Sequence, residues 1–108
     1  MKIYELLIAM VRSVCGLSRK VQQHDPDLAR QMRRAGTSVV LNMVEGWHSL
    51  AGHRVARFHT AMGSARETMA CLDVAVALGY LTEAEVLEDR DRIDHIVAVA
   101  WRLSRRRK

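Results

Sequence analysis

With 108 residues, 49% of them apolar, the chain has enough material for one domain and one core and too little for a second. A single proline, few glycines and 5% aromatic residues favour helices over sheets, and two cysteines outside any C-x-x-C spacing exclude a disulfide framework and a thiol metal or redox motif. A reduced, cytoplasmic protein is expected, and its net charge of +5 points toward polyanionic partners.

Ile3, Leu7, Met10, Val14, Leu17 and Val21 alternate spacings of four and three, which predicts a first helix over 3–22. The opening "MKIYELLIAMVRSVCG" is interrupted by Glu5 and Arg12, so it reads as an amphipathic helix and not as a signal or lipidation segment. No apolar run reaches the ~20 residues needed to span a bilayer, so no membrane association is expected. "HDPD" breaks the pattern, with Asp25 as N-cap and Pro26 at the first helical position. Leu28, Met32, Ala35, Val39, Asn42 and Gly46 then predict a second helix over 26–46, closed by Gly46. After the loop "WHSLAG", Val55, Phe58, Met62, Ala65, Met69, Leu72, Val76 and Gly79 predict a third helix over 53–79. "TEAE" forms a capping box at Thr82 and Glu85, and Val86, Arg90, Ile93, Val97 and Ala100 carry a fourth helix over 82–104. Short loops between helices of similar length predict an all-α, antiparallel, up-down-up-down four-helix bundle over 1–104, with 105–108 as a basic tail.

Polar residues interrupt the apolar stripes. Gln31, Ser38, Asn42 and Glu45 lie beside the core stripe of helix 2, and Thr60, Ser64, Glu67 and Cys71 beside that of helix 3. If the two helices pair about a loop near residue 49 or 50, residue numbers adding to about 99 share a level. Glu45 then meets Arg54 or Arg57, Ser38 meets Ala61, and Glu67 meets Gln31 or Arg34. Glu45 and Glu67 are separated by about 20 Å along the bundle, which rules out a paired acid and base. Gln31, Ser38, Asn42, Glu45, Ser64 and Glu67 are therefore expected to form a structural polar network that fixes register. Glu45-x-x-His48 has the spacing by which one helix of a di-iron bundle supplies two ligands, but no second such motif follows, so no metal or cofactor is expected. No phosphate loop, nucleophile elbow or Cys-His constellation is present, so no enzyme is expected.

Charge is unevenly distributed. Six of the twelve acidic residues fall between Glu83 and Asp94. Arg30, Arg33, Arg34, Arg54, Arg57 and Arg66 cluster on helices 2 and 3, and Arg105, Arg106, Arg107 and Lys108 crowd the C-terminus. Such clusters bind backbone phosphates without reading sequence. With Trp47 expected in a loop and Trp101 beside the core stripe, base stacking is not expected.

"RQMRRAGTSVVLNMVEGW" and "RFHTAMGSARETMACLDVAVALGYL" resemble the small four-helix bundle family of proteins encoded in intervening sequences of bacterial 23S rRNA genes. The residues that carry the resemblance are Gln31, Arg33, Arg34, Ala35, Ser38, Asn42, Glu45 and Gly46, then Phe58, Gly63, Ser64, Glu67, Gly79, Tyr80 and Leu81. The family's usual proline and isoleucines around the Ser-to-Asn segment are replaced by Val39, Val40, Leu41 and Met43, which keep the apolar character. The resemblance implies a non-enzymatic homo-oligomer, a homopentamer in the family's manner. It extends to the accessory variability determinant (Avd) proteins of diversity-generating retroelements. Two functions follow as expectations: a scaffold that binds nucleic acid, RNA before DNA or an RNA/DNA hybrid, or an interaction module that docks a protein such as a reverse transcriptase.

Overall fold

Four α-helices build the chain in a computed structural model that describes residues 1–106: α1 (Tyr4–Gln22), α2 (Pro26–His48), α3 (Ala51–Ala77) and α4 (Glu83–Ser104). No strand occurs among the described residues. Arg107 and Lys108, included in the basic tail on sequence grounds, lie outside them.

Local signals set most of the boundaries. The Asp25 carboxylate accepts the Leu28 amide at 3.0 Å, and Pro26, which has no amide to satisfy, opens α2. At α4 the Thr82 hydroxyl accepts the Glu85 amide at 3.2 Å while the Glu85 carboxylate accepts the Thr82 amide at 2.9 Å. Behind α3, Gly79 takes φ of +80°, and the Tyr80 amide returns to the Ala75 carbonyl at 2.8 Å, which stops the helix two residues earlier than its spacing suggests.

The α2–α3 corner departs from expectation. Gly46 does not end α2; the helix continues to His48, only Ser49 and Leu50 connect the two helices, and Trp47 lies in the last turn of α2 and not in a loop. A Cβ at position 46 would lie 2.8 Å from Cε1 of Phe58, so the glycine admits the ring of the facing helix. Close approach, not termination, accounts for this residue.

Neighbouring helices run antiparallel, since contacts that climb one helix descend the other: Gln22 meets Arg33 while Val14 meets Gly36, Ser38 meets Ser64 while Glu45 meets Arg57, and Lys20 meets Glu85 while Ser13 meets Asp89. Asp73 pairs with Arg90 between α3 and α4. The core is a rod of fully buried side chains along a body 46 Å long, with Leu7, Met10 and Val14 from α1, Met32, Val39 and Met43 from α2, Phe58 and Leu72 from α3, and Ile93 and Ile96 from α4. Val55, placed in the core stripe by spacing, is 44% exposed, because α3 begins beyond the end of the core. Arg90, also on a stripe, bridges Asp73 and Glu83 at 2.8 Å each. Among the described residues no helix is long and apolar enough to cross a membrane.

Candidate nucleic-acid interface

The polar residues of α2 and α3 form a connected chain across the seam between the two helices. Ser38 Oγ and Ser64 Oγ are 2.7 Å apart. Asn42 Nδ2 donates to the Ser38 carbonyl at 2.9 Å and reaches Ser38 Oγ at 3.1 Å. Arg57 Nη1 donates to Asn42 Oδ1 at 3.4 Å and lies 3.1 Å from Glu45 Oε1. Of the two expected partners of Glu45, Arg54 and Arg57, it is Arg57 that pairs with it, whereas Ser38 meets Ser64 and not Ala61. Asn42 orients its amide for both sides, since its nitrogen donates toward Ser38 and its oxygen accepts from Arg57.

Gln31 and Glu67 stand at the far end of this chain without entering it. Together with Arg30, Arg34, Ser38 and Ser64 they line a cleft of about 310 Å³. Glu67 acts electrostatically on Cys71, one turn along α3: burial pushes the thiol above its ordinary value, and the carboxylate charge raises it further. The thiol is held protonated, the opposite of an activated nucleophile.

The arginines divide by environment. Arg33, Arg34 and Arg57 line an open groove of about 800 Å³ along the outer face of α2, whose floor includes Thr37, Val40 and Leu41. Arg33 reaches Ser18 at 3.4 Å and Gln22 at 3.3 Å, both neutral, and Arg34 has no side-chain partner among the described residues. Arg30 is paired with Asp27 at 2.8 Å, and Arg57 with Glu45. Arg54 places its guanidinium 5.6 Å above the Phe58 ring, with Nε buried and unpartnered, so it serves the corner more than the groove. Arg66 is exposed on α3. Arg105 lies 5.0 Å over Trp101, and Arg106 lines a separate cavity at one end of the bundle. The structure therefore brings Arg33, Arg34 and Arg57 to one groove and places Arg105 and Arg106 apart from it.

Among the acidic residues of α4, sequence reasoning missed a buried one. Asp89 is 1% exposed; Ser13 Oγ donates to Oδ2 at 2.7 Å and Arg92 Nη1 to Oδ1 at 2.9 Å. Its position three residues after Val86 and four before Ile93 is the signal that was available. Among the described residues no group of three or more His, Cys, Asp and Glu side chains is placed to hold a metal ion.

Fold and groove together define a basic, all-α four-helix bundle with a polar seam and an arginine-lined outer face. The profile of the 23S rRNA-intervening sequence protein family matches residues 1–101, and the chain belongs to that family. It is similar in fold to a crystal structure of a protein of unknown function from the S23 ribosomal protein family of Bacteroides thetaiotaomicron, with a TM-score of 0.87 at 15% identity over 96% of this chain and 99% of the other. Comparison with curated protein sequences gives no match.

Proposed function

We propose that the protein is a non-enzymatic, homo-oligomeric bundle that binds nucleic acid, RNA in preference, as an accessory scaffold. The observation that carries this reading is the groove on α2, where Arg33 and Arg34 find no acidic partner and the exposed hydroxyl of Thr37 lines the same groove. Guanidinium groups free of carboxylates gain most from phosphate, and a neutral hydroxyl in the same groove suits sugar and phosphate oxygens. Membership of a family described by 23S rRNA intervening sequences supports RNA over DNA.

The test is affinity for a structured RNA across a salt series. Binding should weaken steeply with salt, and Arg33→Glu with Arg34→Glu should lower the slope by roughly two, about one per lost phosphate contact. Binding absent at low salt, or indifferent to salt and to this folded variant, overturns the reading. The same groove also exposes apolar surface at Tyr4 and Leu41, 47% and 59% accessible, which favours a second reading as a protein-docking face, for a further subunit or a partner such as a reverse transcriptase. Recovery of a protein partner whose binding is lost with Leu41→Asp, without RNA affinity, selects that reading.

A further inference from the structure

A cavity of about 730 Å³ opens at one end of the bundle, between the start of α1, the last turn of α2 and the end of α4. Its walls are apolar, with Leu6 and Val99 among them, and Trp47 presents its ring there. Its other lining residues include the cations Lys2, Arg102 and Arg106, and no aspartate or glutamate lines it among the described residues. The volume is that of a small-molecule site, with apolar walls and a few polar groups of one sign.

We propose that this cavity binds a nucleoside 5′-phosphate, with the base against Trp47 and the phosphate among Lys2, Arg102 and Arg106. Charge complementarity fixes the ligand as an anion, and the aromatic wall selects an anion with a flat π-face over inorganic phosphate. Trp47 sits in the last turn of α2, 36% exposed, so its ring is accessible to a base. The inference goes beyond the α2 groove, since Trp47 and Arg102 take no part in it. The ligand has two sources, a free mononucleotide or the 5′-phosphorylated terminal residue of an RNA strand.

The experiment uses the full chain carrying Trp101→Phe, so that fluorescence reports Trp47 alone. AMP should quench it saturably, and adenosine and inorganic phosphate should each bind at least about tenfold more weakly. Arg102→Glu, at an exposed position, should weaken AMP by about tenfold or more, as should Trp47→Leu, whose binding is read by titration calorimetry because it removes the fluorophore, while Arg33→Glu with Arg34→Glu should leave AMP binding unchanged. A short RNA bound more tightly with a 5′-phosphate than with a 5′-hydroxyl assigns the site to strand ends, and AMP bound as tightly as that RNA assigns it to free nucleotide. No saturable AMP quenching together with no preference for the 5′-phosphate overturns the inference, as does phosphate binding as well as AMP. Salt-dependent RNA binding that survives either negative result leaves the groove interface standing and the cavity refuted.

Discussion

Gly46 and Phe58 occupy one space: an alanine Cβ at 46 would lie 2.8 Å from one ring carbon of Phe58 and 2.9 Å from another, and the ring is fully buried. An aromatic ring enclosed on all sides cannot yield as the end of a flexible side chain would. Gly46→Ala should therefore destabilise, because overpacking of about 1–3 kcal/mol outweighs the roughly 1 kcal/mol gained in helix propensity. Gly16→Ala, where nothing lies within 4 Å, should stabilise by about 0.5–1 kcal/mol. Urea melts of the two variants should move in opposite directions; equal shifts would sink the close-packing account of Gly46.

Gly63 allows a related test. It belongs to the motif shared with the family, yet nothing within 4 Å in this chain restricts it. Gly63→Ala should raise the stability of an isolated subunit by about 0.5–1 kcal/mol. If native mass spectrometry finds the proposed oligomer in the parent chain and its loss in this variant, the glycine serves a contact between copies. An unchanged oligomer assigns no such contact to it.

Ser13 and Asp89 tie α1 to α4 through a carboxylate almost without solvent contact. Asp89→Ala removes the acceptor for both Ser13 and Arg92 and should cost about 3 kcal/mol, the scale of breaking a buried pair. Ser13→Ala removes one charged hydrogen bond and should cost about 1–2 kcal/mol. Chemical denaturation measures both, and an Asp89→Ala variant within about 0.5 kcal/mol of the parent would refute the assignment.

The elements were legible in the sequence because apolar spacing, Asp25-Pro26 and the Thr82–Glu85 box are all local devices. The pairing level was legible only approximately. Residues 38 and 64, and 45 and 57, face each other at numbers adding to 102, not 99. Each helical side chain leans toward its own N-terminus by about one residue, so in an antiparallel pair the two leans add and push the sum upward. The same displacement appears where Asp73 meets Arg90 across a connection centred at residue 80. Gly46 was misread because glycine has two uses, chain termination and close approach, and only the position of Phe58 distinguishes them. Asp89 was grouped with its exposed acidic neighbours because charge composition carries no information about which helix face turns inward. The arginine clusters were legible as charge, but their division between the groove, the Phe58 ring and the end cavity depends on tertiary placement.

Glu85 gives the chain a pH dependence of known sign. The hydrogen bond from Lys20 first, and that from the Thr82 amide next, hold its carboxyl below the ordinary value of 4.5. A depressed folded-state pKa contributes stability that is fully present above the unfolded value and is lost as pH falls through the folded one. Glu85→Gln should therefore lower Tm near about pH 7, and the difference from the parent should shrink as the pH falls below 4.5 and close once the folded-state carboxyl is protonated. A gap that persists at low pH would show that the charge is not what stabilises α4.

Glu45 holds Arg57 within the groove, and that pairing has a consequence for binding. Both side chains are about half exposed, 57% and 49%, so the ion pair contributes at most about 1 kcal/mol to stability. For an incoming phosphate the carboxylate acts twice against binding: it repels the anion directly, and it occupies the guanidinium that would receive it. Glu45→Gln keeps the shape of the side chain and removes only the charge. RNA affinity should then rise, with a salt slope steeper by up to about one as Arg57 becomes available to a phosphate, while thermal stability changes little. Arg57→Gln should act in the reverse direction on binding with an equally small effect on folding. If the groove is instead covered by a neighbouring subunit, the same substitutions will alter the oligomeric state seen by light scattering and leave RNA affinity where it was. The pair of measurements on one conservative substitution therefore separates the phosphate-binding face from the subunit contact.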